Sequence, residues 1–329
     1  VTAPTFKAAW WMKNPHLQTI APSRLRKQAK LNLQRHRLQL QDGDFLDLDI
    51  IDSSKSSQAP ILLLFHGLEG SVESQYIQAM LHQAKQANWT AIGMYFRGCS
   101  GESNQLPRSY HSGETEDLEH TIQYALDTYP GRPILAAGFS LGGSALLNLL
   151  DHSSYADKLA AACTVSVPFE LAECANKMNQ GFSRVYRNHF LATLRQKIRS
   201  KQHLLKGHEI DFKQVEQKDD FWTFDHLVTA PLHGFLSAKD YYQRCSSRSK
   251  LKHISRPTLI IHSLDDPFMH PGCVPKPSEV SASIELEITQ HGGHLGFVSG
   301  STPFRPDYSW LETRIMHFFT QQIKSNALA

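Results

Sequence analysis

An α/β fold with a mostly parallel central sheet and an inserted helical segment is predicted by three observations. Short apolar runs alternate with helical segments from residue 60 to about 167, this rhythm then stops until Pro257, and glycine-rich turns follow directly on two of the apolar runs, at 66–71 and 138–143. Strands alternating with helices need crossover connections, so they build parallel sheets covered by helices on both faces. The 329 residues suffice for one large domain or two ordinary ones, and a hydrophobic content of 41% supports a sizeable core. The expected organisation is an N-terminal arm over residues 1–30, a core from residues 31–167 and 256–329, and a helical lid over residues 168–255.

The first 30 residues contain Trp10-Trp11-Met12-Lys13-Asn14-Pro15, apolar and aromatic but without a clean helical or strand period. Adjacent tryptophans are costly to leave in water, which predicts an arm packed on the body of the protein. From 35 to 51 the chain alternates around Gln41-Asp42-Gly43-Asp44, the pattern of an antiparallel hairpin with an Asp-Gly turn. After a polar loop at 53–58, Ile61-Leu62-Leu63-Leu64-Phe65 is short and wholly apolar, as a strand buried on both faces must be. A helix is predicted over 75–86, a strand over 90–96, and a helix capped by Ser112 or Thr115 that reaches about 129. Arg97 is expected to pair with Glu114 or Asp117, and Cys99 to be a buried structural cysteine. A strand beginning at 134 and leading into a glycine turn, and another at 159–167, complete the first half.

From 168 to 255 no convincing strand occurs. Phe182, Tyr186, Phe190, Leu194 and Ile198 recur every four residues, and Arg184, Arg187, Arg195, Lys197, Arg199 and Lys201 give the same helix a basic character. The plainer reading is an apolar stripe on the core with a solvated basic face; the sharper one is weak peripheral contact with an anionic membrane. The sheet resumes with Pro257-Thr258-Leu259-Ile260-Ile261-His262 and again at 283–288, before a closing helix over 308–323.

Composition narrows the function. Thirty-four Lys and Arg balance 31 Asp and Glu, and no basic run is interleaved with stacking aromatics, so nucleic acid is not an expected partner. The longest aliphatic run falls far short of the roughly 20 residues of a membrane span, and no signal-peptide pattern opens the chain, which predicts a soluble, cytoplasmic protein. Five scattered cysteines without a Cys-x-x-Cys pair fit reduced thiols. The 18 histidines include no pair at metalloprotease spacing, and the glycine turns lack both the dinucleotide and the phosphate-loop signatures; neither metal nor cofactor is expected.

The chemistry centres on Gly138-Phe139-Ser140-Leu141-Gly142. An apolar strand leads into it and helix formers follow, so Ser140 falls on a sharp strand-to-helix turn with its hydroxyl exposed. A serine hydroxyl is a poor nucleophile unless an imidazole takes its proton, and the imidazole needs a carboxylate to fix its tautomer. Asp265-Asp266-Pro267 follows one later strand and His291-Gly292-Gly293-His294 follows the next, both at strand C-terminal ends where parallel sheets carry their chemistry. Asp266, directly before Pro267, is the favoured acid, with Asp265 as a solvated or capping carboxylate. His294, after two glycines, is the favoured base, with His291 as a structural residue. The turn His66-Gly67-Leu68-Glu69-Gly70 can offer the Leu68 N–H as one oxyanion donor and the helix start the Leu141 N–H as the other.

These motifs, together with Asn14-Pro15-His16-Leu17-Gln18-Thr19, Phe96-Arg97-Gly98-Cys99-Ser100-Gly101 and Tyr110-His111-Ser112-Gly113-Glu114-Thr115-Glu116-Asp117, carry a resemblance that spans nearly the whole chain. The chain resembles the YheT-like α/β-hydrolases, a bacterial group of esterases related to eukaryotic lipid-directed hydrolases. The resemblance implies an α/β-hydrolase fold and the triad Ser140, Asp266 and His294. The expected activity is hydrolysis of carboxylic esters, small or lipid-like, through an acyl-enzyme. Acyl transfer or thioester hydrolysis would use the same triad, and a lipid- or partner-binding module without turnover would keep only the fold.

Overall fold

The computed structural model describes residues 3–26, 30–53, 56, 58–208 and 210–326; parts of the expected arm (1–2 and 27–29) and of the 53–58 loop lie outside the described residues. Residues of the arm form a helix, α1 (Pro15–Leu25), where no helical period is visible. Asn14 starts it by accepting from the N–H groups of His16 at 2.9 Å and Leu17 at 3.2 Å, and Pro15 sits where no intrahelical donor is needed. Its apolar residues form no stripe because polar side chains dock it. Gln18 is fully buried, donating to the carbonyls of Met12 and Val298 and accepting from the Val298 N–H at 2.6 Å.

The hairpin is β1 (Gln34–Gln39) with β2 (Phe45–Asp52), in antiparallel register with Leu38 opposite Leu46. Gly43 takes φ 89° at the turn, which an L side chain resists. There follow β3 (Ile61–Phe65), α2 (Gln75–Gln86), β4 (Thr90–Met94), α3 (Glu116–Thr128), β5 (Ile134–Phe139), α4 (Leu141–His152) and β6 (Leu159–Val165). Thr115 precedes α3, but no side-chain hydrogen bond caps that helix, in contrast to the expected cap.

Between β6 and the next strand come α5 (Leu171–Met178), α6 (Ser183–Ser200), α7 (Phe212–Gln217), α8 (Phe221–Phe224), α9 (Ala230–Leu232) and α10 (Ala238–Cys245). The sheet resumes with β7 (Thr258–Ser263) and β8 (Ile284–Thr289). A small hairpin, β9 (Ser299–Thr302) with β10 (Arg305–Asp307), precedes α11 (Trp310–Asn326).

Among the described residues, eight strands form one sheet in the order β1-β2-β4-β3-β5-β6-β7-β8. From β4 to β8 the pairing is parallel, and β2 joins antiparallel on β4. Side chains of β3 divide between two cores. Ile61, Leu63 and Phe65 pack with Leu118 and Ile122 of α3 and Leu146 and Leu149 of α4, whereas Leu62 and Leu64 pack with Ile77 and Met80 of α2 and Ile315 and Phe319 of α11. Burying each such side chain contributes about 1.5–3 kcal/mol, so a strand apolar on both faces belongs at the centre. The edge strand β1 is polar and mostly exposed, which discourages pairing with other chains. The helices α5 to α10 bury apolar clusters of their own, one around Leu191, Ile198 and Phe224 and one around Leu171, Tyr241 and Tyr242.

Arg97, fully buried, ties the hairpin turn to α3. Its Nε and Nη2 donate to Asp117 at 3.0 and 2.9 Å, and its Nη1 reaches Asp42 at 2.7 Å and Asp44 at 3.2 Å. Of the two expected partners, Asp117 takes the bidentate contact.

Candidate active site

Ser140 joins β5 to α4 with φ 53° and ψ −118°, a conformation costly for an L residue. Its N–H donates to the Val165 carbonyl at 2.8 Å, and its carbonyl accepts from Ser144 at 3.0 Å, so strand and helix hold it there. The flanking glycines are required by close approach. A Cβ on Gly138 would lie 2.5 Å from the Gly142 carbonyl oxygen, and one on Gly142 would lie 2.5 Å from the His66 carbonyl oxygen. The serine turn and the turn after β3 are therefore packed backbone against backbone.

That second turn is fixed by its neighbours. Gly67 N–H donates to Tyr76 Oη at 3.0 Å, Glu69 N–H to Tyr110 Oη at 2.8 Å, and Gly70 N–H to the Gly67 carbonyl at 3.0 Å. The buried ring of His66 accepts at Nε2 from the Phe96 N–H at 3.1 Å, which assigns the proton to Nδ1, and Nδ1 donates to the Gly67 carbonyl at 2.7 Å. Burial pushes the imidazole down to about 4. The folded ring thus stays neutral as the unfolded one protonates near 6.5, so this group withdraws stability as pH falls from about 6.5 to about 4. Long-range ¹H–¹⁵N spectra are expected to show an unchanged Nδ1–H tautomer of His66 from pH 8 to pH 5; protonation in that interval contradicts the assignment.

Helix α6 reaches the same turn. Lys197 Nζ lies 2.8 Å from Glu69 Oε1, which also accepts from Tyr110 Oη at 2.7 Å, and 3.0 Å from Cys99 Sγ. Cys99 is only partly buried as a residue and has a cation beside it, which differs from the expected buried structural cysteine. Desolvation outweighs that cation and raises the thiol, so the net effect disfavours the thiolate.

Asp266 and His294 meet. His294 Nδ1 lies 2.8 Å from Asp266 Oδ2, and both side chains are nearly inaccessible to solvent. The other oxygen, Oδ1, accepts from the Phe268 N–H at 2.9 Å, and the Phe268 ring stacks on the imidazole with centroids 4.0 Å apart. Asp265 instead holds the loop: Oδ1 accepts from the Gly293 N–H at 2.9 Å and Oδ2 lies 3.1 Å from His291 Nδ1. The two Asp and two His of the sequence motifs are thereby sorted into separate pairs. Gly293 has φ 58° and a Cβ there would lie 2.6 Å from the Pro15 carbonyl oxygen, so α1 packs directly on the histidine loop. Thr19 of α1 accepts from the His294 N–H at 2.9 Å, and Leu295 N–H donates to Ser166 Oγ at 3.3 Å beside β6. The role of Thr19 is invisible in the sequence, because Thr19 and His294 are 275 residues apart.

A cavity of about 140 Å³ opens on Ser140. Its sheet-side wall includes Leu68, Ser140 and Leu141; its helical wall includes Met178, Phe190, Leu194, Phe221 and Phe224. Phe268 lines it too and so bridges the cavity to the ring of His294. Among the described residues no cluster of His, Cys, Asp or Glu could hold a metal ion, and no helix is long and apolar enough to cross a membrane.

A parallel sheet with a strained serine turn at one strand end and a paired Asp and His at two others defines an α/β hydrolase, and the chain belongs to the alpha/beta hydrolase fold family, which matches residues 60–301. Within it the chain is YheT-like: it is 40% identical to "Putative esterase YheT" of Escherichia coli (strain K12), over 95% of this chain and 92% of that protein. It is also 30% identical to "Phospholipase ABHD3" of Mus musculus, over 94% of this chain and 77% of that protein. Among solved structures, the Pyrococcus furiosus esterase Pf2001 shares the fold with a TM-score of 0.56 at 14% identity, covering 97% of this chain and 99% of that one.

Proposed function

We propose that this protein is a serine esterase that cleaves carboxylic esters, small or lipid-like, through an acyl-enzyme. The observation that carries the reading is the 2.8 Å contact of His294 Nδ1 with Asp266, which assigns the Nδ1 proton to that bond and leaves Nε2 as the acceptor for the Ser140 proton. Ser140 Oγ attacks the ester carbonyl, the carbonyl π pair moves to oxygen, and the N–H groups of Leu68 and Leu141 stabilise that oxyanion. Collapse of the tetrahedral intermediate expels the alcohol, which takes the proton from His294. Water then attacks the acyl-enzyme with the same histidine as base. The names of the YheT and phospholipase relatives support an ester substrate.

Helices α5 to α10 serve as the lid in this reading, because Phe190, Leu194, Phe221 and Phe224 roof the cavity over Ser140. Most of the basic residues of α6 are engaged within the chain: Lys197 with Glu69, Arg199 with Glu216, and Arg195 with Asp219. What supports weak peripheral membrane contact is the start of α6, where Phe182 and Val185 are about half exposed beside Arg184. The five cysteines are free thiols, which supports a cytoplasmic location.

The decisive test is labelling by a fluorophosphonate probe together with turnover of p-nitrophenyl esters of several chain lengths. Labelling confined to Ser140 and lost on boiling is the expected result; a folded protein that neither labels nor turns over is a binding module instead. Product analysis with competing alcohols and thiols separates hydrolysis from acyl transfer. Turnover is expected to be unchanged by EDTA, and loss on chelation with recovery on adding a metal would contradict the mechanism. Thr19→Val deletes the acceptor for the His294 N–H, together with the hydroxyl's own bond to the Pro15 carbonyl, in nearly the same shape, and is expected to lower kcat about tenfold with little change in KM, the scale of the bond to the histidine loop at about 1–1.5 kcal/mol. Unchanged kcat would show that α1 does not position the base.

A further inference from the structure

Among the described residues, the cavity wall over Ser140 contains a single carboxylate. Much of the wall is apolar, with Met178, Phe190, Leu194, Phe221 and Phe224, and Asp225 stands in it beside the hydroxyls of Thr229 and Tyr242. Asp225 begins a π-helical turn, Asp225–Thr229, that joins α8 to α9. Such turns insert a residue at the expense of regular helical hydrogen bonding and are found where the displaced residues have a task.

The partners of Asp225 are neutral. Oδ1 accepts from Thr229 Oγ1 at 2.6 Å and Oδ2 from Tyr242 Oη at 2.7 Å, and both donors line the same cavity. The neighbouring charge of Asp220 is of the same sign. Burial pushes the Asp225 carboxyl up to about 6, so at pH 7 and above most of it is still ionised. A carboxylate has roughly four acceptor positions, and two hydroxyls fill two of them. A buried ionised group is expensive unless its remaining positions are filled, and Asp225 lines the cavity, from which a further donor can arrive.

We propose that Asp225 is a specificity-determining residue of this site and selects esters whose largely apolar acyl arm carries a hydrogen-bond donor, a hydroxyl or a protonated amine. The inference rests on the esterase reading above. The apolar wall holds the hydrocarbon, and Asp225 with Tyr242 and Thr229 receives the polar terminus. A plain alkyl end placed there strips water from the carboxylate without replacing its hydrogen bonds, which lowers kcat/KM for that substrate.

The test compares p-nitrophenyl butanoate, hexanoate, octanoate and decanoate with their ω-hydroxy and ω-amino analogues in the wild type, Asp225→Asn and Asp225→Leu. The wild type is expected to favour at least one donor-bearing ester by about tenfold or more in kcat/KM, the scale of a hydrogen bond to a charged group. Asp225→Leu is expected to reverse that order. Asp225→Asn, nearly identical in shape, is expected to keep part of a hydroxyl preference and lose an amine preference, which separates hydrogen bonding from charge. The ratio between two substrates within one variant is read, so a general loss of activity does not imitate the effect. Should Asp225→Leu fail to fold, Asp225→Asn carries the comparison. Equal ratios in the wild type and the folded variants, with turnover intact, overturn the proposal and leave the esterase reading standing. No turnover of any ester by the wild type sinks that reading and this one together.

Discussion

Ser140→Ala is expected to lower kcat on p-nitrophenyl esters by on the order of 10⁶ while the protein stays folded. The substitution removes the only atom that forms the acyl bond in the proposed mechanism. What remains, the Asp266–His294 pair and two N–H donors, can still polarise a bound ester toward water, so residual acceleration of roughly 10³–10⁴ over the uncatalysed reaction is expected. Alanine inherits the same strained φ of 53° that serine bears, so the turn gains no new clash. Steady-state kinetics with probe labelling and a thermal melt decide the matter. A variant within tenfold of the wild type in kcat would mean that Ser140 is not the nucleophile. Asp266→Asn is expected to be severe as well, since an amide favours the wrong tautomer of His294.

Arg97→Met is expected to cost about 3–5 kcal/mol of stability, the range for removing one partner of a buried ion pair. Arg97 is 2% exposed and Asp44 and Asp117 are inaccessible, so water cannot replace the lost guanidinium. Asp42, Asp44 and Asp117 would then face one another without the charge that joins them. For a chain of this size the thermal midpoint is expected to fall by on the order of 10 °C. Arg97→Lys should recover only part of it, because an ammonium cannot make the bidentate contact to Asp117. A midpoint within 2 °C of the wild type for Arg97→Met would show that the cluster is energetically neutral.

Much of the architecture is legible because its signals are local. Helix α2 occupies the predicted residues 75–86, and Ile61–Phe65 announces a strand buried on both faces by being apolar at every position. The strained turn at Ser140 follows from glycines placed two residues to either side of it. Helix α1 escaped because its docking depends on Gln18 and Thr19 meeting the loop that carries Val298 and His294, and polar docking leaves no apolar period. Its cap, Asn14 followed by Pro15, was nonetheless in plain view. The stripe on α6 was visible, but not that Phe190 and Leu194 roof a cavity while Lys197 reaches Glu69.

The sequence by itself determined which chemical groups are available: a serine in a glycine turn, an Asp-Asp pair before proline and two histidines around Gly-Gly, each after an apolar run. It could do so because a strand end and a tight turn are set by neighbours in the chain. Which Asp meets which His, the hold of α1 on the histidine loop, and the place of Asp225 in the wall of the cavity over Ser140 come from the folded arrangement alone. Those are contacts across 26 to 275 residues of separation, and no local propensity encodes a partner at that distance.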